Sequence, residues 1–112
     1  MLKSLSFYWG SLMTKLKFDL NKKQLESAVK SMQGISHPVR LMILYALTKE
    51  ELSVNDLSHF AAVSQSVTSQ HLGKLKDSGI LESRKESNKV FYYIKDPKIK
   101  DLIKQIIKLF NV

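Results

Sequence analysis

At 112 residues, 44% hydrophobic and 25% charged, the chain has room for one domain with a modest core and is too apolar to be disordered. Eighteen basic against ten acidic residues leave a formal charge of +8, which points to a polyanionic partner, nucleic acid before an anionic membrane surface. Cysteine is absent, which excludes disulfides, thiolate metal sites, nucleophilic cysteines and thiol redox switches together.

The opening MLKSLSFYWGSLM does not read as a secretory signal, because Ser4, Ser6, Gly10 and Ser11 interrupt the apolar run and no small-x-small site follows. No window approaches the ~20 apolar residues of a membrane span, so the chain reads as cytoplasmic. Leu2, Leu5, Trp9, Leu12 and Leu16 make a helical stripe within an amphipathic extension over residues 1–19. That stripe suits an extra helix packed on the core or on a dimer mate. A basic helix lying on a membrane is the alternative, and a start at Met13 would make it dispensable.

Leu25, Ala28, Val29 and Met32 share one helical face over residues 20–32, with Asn21 as cap and Gly34 as stop. In SHPVRLMILYAL, Ser36 is placed to cap, and Pro38 lies in the first turn, where its missing N–H costs nothing. Apolar residues cover so much of this helix, through Val39, Leu41, Met42, Ile43, Leu44, Ala46 and Leu47, that it reads as the central one. After a polar break at 49–52, Ser53 and Asp56 form a capping box for a short helix, VNDLSHFA, whose inward residues are Val54, Leu57 and Phe60 or Ala61. A turn at Ala62 and Val63 leads to Ser64, the cap of QSVTSQHLGKLKDS, which Gly79 closes.

Beyond Gly79 the period changes to two. Residues 80–86 and 90–95 read as strands of a hairpin with Ser87, Asn88 and Lys89 between them. Arg84, Lys85 and Lys89 surround its tip, with Glu86 the opposing charge. Asp96 and Pro97 start a last helix over residues 97–111, with Ile99, Leu102, Ile103, Ile106, Ile107 and Phe110 on a wide apolar face.

A short helix, a turn, a helix and a basic hairpin together suit a helix-turn-helix with a wing, which presents one helix to the major groove. In that helix Thr68, Leu72 and Leu75 must face the core, with Val67 and His71 at the margins. The opposite side carries Gln65, Ser66, Ser69, Gln70, Gly73 and Lys76. Exposed helix faces usually favour Glu, Lys and Arg. Neutral amides and hydroxyls at a helix N-terminus suit base edges and phosphates instead. Gly73 costs about 1 kcal/mol of helix propensity against alanine, which a close approach by DNA or another helix would explain. The candidate base contacts are therefore Gln65, Ser66, Ser69 and Gln70, and the candidate backbone contacts are Ser64, Lys76, Arg84, Lys85, Asn88 and Lys89.

Residues 36–95 resemble the winged-helix domain of the ArsR/SmtB-type bacterial transcription regulators. SHPVRLMILYAL is similar to that family's x-P-x-R-L-x-I-L opening. ELSVNDL, SQSVTS and HLGKLKDSGI are similar to its E-L-x-V-x-[DE]-L, S-Q-S-x-x-S and H-L-x-x-L-x-x-x-G-[IL] segments. The resemblance implies a mainly α winged helix-turn-helix with one small β-hairpin, flanked by N- and C-terminal dimerisation helices, in one domain over residues 1–112. It also implies a symmetric dimer on an imperfect palindrome, joined through Leu25, Val29, Met32, Ile99, Leu102, Ile103, Ile106 and Phe110. Family base contacts fall on Gln65, Ser66, Ser69 and Gln70, and Arg40 matches a family arginine that supports the fold or touches DNA backbone.

The chain departs from the family's metal sensors. Ser53 and Asn55 stand where a thiolate site needs cysteines, and the last helix offers Asp96 and Asp101 without histidine. His37, His59 and His71 lie on separate helices without ligand spacing, so no metal and no cofactor is expected. No glycine-rich phosphate loop, nucleophile elbow or catalytic triad is present, and the chain does not read as an enzyme. The expectation is a homodimeric, sequence-specific, double-stranded-DNA-binding regulator without the family's metal and thiol triggers. Its rivals are a non-specific nucleic-acid or nucleoid binder and a winged-helix protein-interaction module.

Overall fold

The computed structural model describes residues 16–111. At its centre lies a helix over Pro38–Leu47, whose Ile43, Leu44, Ala46 and Leu47 are all buried. Around it, in chain order, are α1 (Lys22–Ile35), this central helix α2, β1 (Leu52–Ser53), α3 (Val54–Ala61), α4 (Gln65–Asp77), β2 (Leu81–Glu86), β3 (Lys89–Ile94) and α5 (Pro97–Phe110). One core joins them: Leu57 from α3, Leu72 and Leu75 from α4, Ile80, Leu81 and Ile94 from the hairpin, and Ile103 from α5 close over α2. Each such side chain contributes roughly 1.5–3 kcal/mol on burial, so the core rather than any surface contact decides the fold. This is the expected mainly helical winged helix-turn-helix, with α3 and α4 as the helix pair and β2–β3 as the wing.

Several ends differ from the sequence expectations. Pro38 drives the residue before it into extended backbone, so His37, not Ser36, caps α2, at φ −161° and ψ 137°. Its Nδ1 accepts the Val39 N–H at 3.0 Å. Ser36 instead terminates α1, donating its backbone N–H to the Met32 carbonyl. Gly34 does not stop α1, which runs on to Ile35. A Cβ on Gly34 would lie 2.6 Å from Ser78 Oγ, so glycine there admits the C-terminal end of α4. Of the two alternatives at the end of α3, Ala61 is buried with Leu57, while Phe60 is 47% exposed and stacks on Tyr45.

The break after α2 contains a strand that periodicity did not reveal. Leu52 and Ser53 pair antiparallel with Tyr92 and Phe91, giving a sheet of order β1-β3-β2. Lys89 belongs to β3, opposite Glu86, which leaves only Ser87 and Asn88 in the wing turn. Ser87 takes a positive φ of 56°, a conformation that two-residue hairpins require and that glycine adopts most cheaply. The capping box at Ser53 and Asp56 forms as expected, and so does the Gly79 closure of α4 at φ +77°. The Leu2–Leu12 part of the N-terminal stripe lies outside the described residues. Among these, no helix is long and apolar enough to cross a membrane.

Candidate nucleic-acid interface

The chain reverses between α3 and α4 in three residues, Ala62 to Ser64, with Ala62 left-handed at φ 55°. Ser64 then fixes the start of α4. Its Oγ accepts the Val67 N–H at 3.1 Å, and its carbonyl accepts from Thr68 Oγ1 at 2.8 Å. Thr68, Leu72 and Leu75 are buried, as their spacing requires. That anchoring turns Gln65, Ser66, Ser69, Gln70, Gly73 and Lys76 outward, and all six are exposed. A Cβ on Gly73 would meet nothing within 4 Å, so among the described residues no second helix accounts for the glycine.

Arg40 fixes the other side of α4. Its Nε donates to the Gly34 carbonyl at 2.6 Å and its Nη2 to the Gln33 carbonyl at 3.4 Å. Nη1 lies 3.4 Å from His71 Nδ1. One guanidinium thus ties the end of α1 to the middle of α4, which is the fold-supporting role left open for it above. His71 packs 4.4 Å from the His37 ring, centroid to centroid. Burial, and then the neighbouring His37, Arg40 and Lys74, lower its pKa below the ordinary histidine value.

The wing candidates divide into two groups. Lys85, Asn88 and Lys89 are exposed around the turn, and neither lysine has an ion pair among the described residues. Arg84 is engaged, with Nε 2.7 Å from Glu51 Oε1, Nη1 2.8 Å from Glu86 Oε2, and its guanidinium 5.0 Å from the centre of the Phe91 ring. Its charge is largely matched, so it stiffens the wing more than it adds to its field. Lys76 donates to Ser83 Oγ at 2.9 Å, linking α4 to β2.

Nothing in the sequence links Asn55 to α4. Its Oδ1 accepts from Gln65 Nε2 at 2.8 Å, joining the first turn of α3 to the first residue of α4. Only the angle between the helices brings residues ten apart together, and periodicity within either helix carries no such signal. No group of three or more histidine, aspartate or glutamate side chains among the described residues could hold a metal ion. Away from α4, Leu25, Val29 and Met32 on α1 and Leu102 and Phe110 on α5 are exposed, Phe110 by 78%. Ile106 is half-buried; Ile103, expected at the dimer seam, is instead fully buried in the chain's own core, and Ile99 packs against that core, because this side of α5 covers α2.

Residues 37–83 match the family model described as bacterial regulatory protein, arsR family. The biofilm growth-associated repressor of Xylella fastidiosa is 35% identical over 92 residues, which are 82% of this chain and 80% of that protein. The transcriptional activator HlyU of Vibrio cholerae is 36% identical over 89 residues, 80% of this chain and 82% of its own. Its solved structure superposes with a TM-score of 0.76 at 35% identity, covering 82% of this chain and 100% of HlyU. A homodimeric winged helix-turn-helix DNA-binding domain from Mycobacterium bovis shares the fold at 21% identity, with a TM-score of 0.76 over 85% of this chain and 88% of its own.

Proposed function

The chain belongs to the ArsR family of bacterial regulatory proteins, and from that premise we propose that it is a cytoplasmic, sequence-specific DNA-binding transcription regulator acting as a homodimer on a palindromic promoter site. The observation that carries this reading is the outward, neutral, hydrogen-bonding face of α4 above a fully buried Thr68, Leu72 and Leu75. Gln65 and Gln70 supply carboxamides able to pair with base edges, and Ser66 and Ser69 supply hydroxyls for bases or phosphates. Ser64, Lys76, Lys85, Asn88 and Lys89 contact the backbone on either side, with Arg84 bracing the strand behind them. The open space at Gly73 admits the duplex.

Two copies joined through the exposed apolar faces of α1 and α5 place the two α4 helices in successive major grooves, about 34 Å apart. Without cysteine, and without histidine on α5, the regulator works independently of the metal and thiol triggers of its family. Selection of bound sequences from random duplex DNA tests the proposal. A preferred site should outcompete random duplex by ~10³-fold or more. Gln65→Ala should relax the preference at particular positions, whereas Lys89→Ala should weaken binding to all sequences alike. Equal binding of operator and random duplex by the parent and both variants would overturn it.

A further inference from the structure

We infer that Asn55 is a positioning residue for base recognition: it holds the Gln65 carboxamide so that its oxygen and one N–H face outward, which favours adenine over guanine. This rests on the DNA-reading function proposed above. Gln65 is the first residue of α4, its backbone set by the Ser64 cap, but its side chain is long and rotatable. Left alone, it could offer a base either the oxygen or the nitrogen of its amide, and it would lose rotamer freedom on binding. The 2.8 Å hydrogen bond from Gln65 Nε2 to Asn55 Oδ1 weights that choice toward one orientation. One N–H is turned toward α3, and what remains is one acceptor and one donor. Adenine presents N6–H as donor and N7 as acceptor in the major groove, so it complements that remainder. Guanine presents O6 and N7, both acceptors, and would need the donor already engaged.

The backbone that carries Asn55 is fixed, which limits where its short side chain can reach. The Asn55 carbonyl accepts from Ser58 Oγ at 2.8 Å, and the preceding cap is closed by Ser53 Oγ donating to Asp56 Oδ2 at 2.9 Å. Asn55 also lines a hollow with Ser53, Val54, Asp56, Lys89 and Val90, between α3 and the wing. The first turn of α3 thus touches α4 through Asn55 and borders the hollow beside the wing.

The test uses the full chain and a duplex pool with a randomised centre, followed by single-base variants of the selected site. The parent should prefer adenine over guanine at one position in each half-site. Asn55→Ala should reduce that ratio roughly threefold to tenfold, the range one hydrogen bond supplies, while other positions keep theirs. Asn55→Asp retains an acceptor and should retain the ratio, although its charge lowers affinity for every sequence. In a Gln65→Ala background, Asn55→Ala should change no base preference. A parent without sequence preference overturns the proposed function and this inference with it. A selective parent whose Asn55→Ala variant loses affinity evenly, or shifts preference even without Gln65, overturns the inference alone.

Discussion

His71 sits on α4 where basic groups converge. His37 and Arg40 reach it from α2 and its N-cap, Lys74 from its own helix, while Lys30 and Asp77 line the adjoining hollow. Burial, and then the positive field of His37, Arg40 and Lys74, favours the neutral ring in the folded chain. Unfolding restores an ordinary histidine, so the unfolded state binds more protons just below the reference value of 6.5. The stability held by the neutral ring is therefore complete above about pH 6.5 and is lost progressively as pH falls below it. His71→Gln keeps a group able to accept from Arg40 but cannot titrate. Denaturant midpoints followed from about pH 7.5 to about 5.5 should fall less steeply for this variant than for the parent. Matching slopes would show that His71 does not carry the effect. At this scale the buried Thr68, Leu72 and Leu75 were legible in the sequence, because helical spacing alone decides which residues share a face. The His37 cap was not, because serine and asparagine are the common capping acceptors and the imidazole serves only through the backbone angle that Pro38 imposes.

Among the elements, α5 divides its apolar face between two tasks. Ile103 is fully buried in the core and Ile99 and Ile107 pack against it, while Leu102, Leu109 and Phe110 are left outside. The sequence showed one wide apolar stripe without this division, since periodicity measures how wide a face is and not which neighbour covers it. The same limit hid β1, whose two residues have no period and exist only through pairing with β3, far away in the chain. It also misjudged Gly34, where closeness to Ser78, not helix termination, calls for glycine. If the outer α5 residues join two copies, a double Leu102→Lys, Phe110→Lys variant removes four apolar side chains from each two-fold interface. At about 1.5–3 kcal/mol each, even half the total raises the dimer dissociation constant by a hundredfold or more. Light scattering should then report a monomer whose far-ultraviolet circular dichroism is unchanged. Ile103→Lys, by contrast, should unfold the chain, because it places an unpaired charge in the core. A double variant that stays dimeric would move the interface elsewhere.

For the molecule as a whole, the excess charge matters more than any single ion pair. The three salt bridges of the described residues all lie at the surface of the sheet and join side chains that are more than a third exposed, so each adds little to stability. Every one of them also neutralises a basic group near the wing, which concentrates the remaining positive field on lysines. The formal charge is +8 per chain and doubles in a dimer, so association with a duplex releases many condensed counterions. If the dimer neutralises ~6–10 phosphates, the logarithm of the association constant should fall against the logarithm of salt concentration with a slope of about −5 to −9. If Lys89 holds one phosphate in each copy, its removal should make the slope shallower by about 2 for the dimer. Gln65→Ala removes no charge, so its slope should match the parent's even as its base preference relaxes. Fluorescence anisotropy titrations across a salt series, run on operator and random duplex, read both quantities. A slope near zero would assign recognition to something other than the phosphate backbone. A slope that Gln65→Ala changes as much as Lys89→Ala would erase the proposed division between a neutral helix face for bases and a basic wing for the backbone.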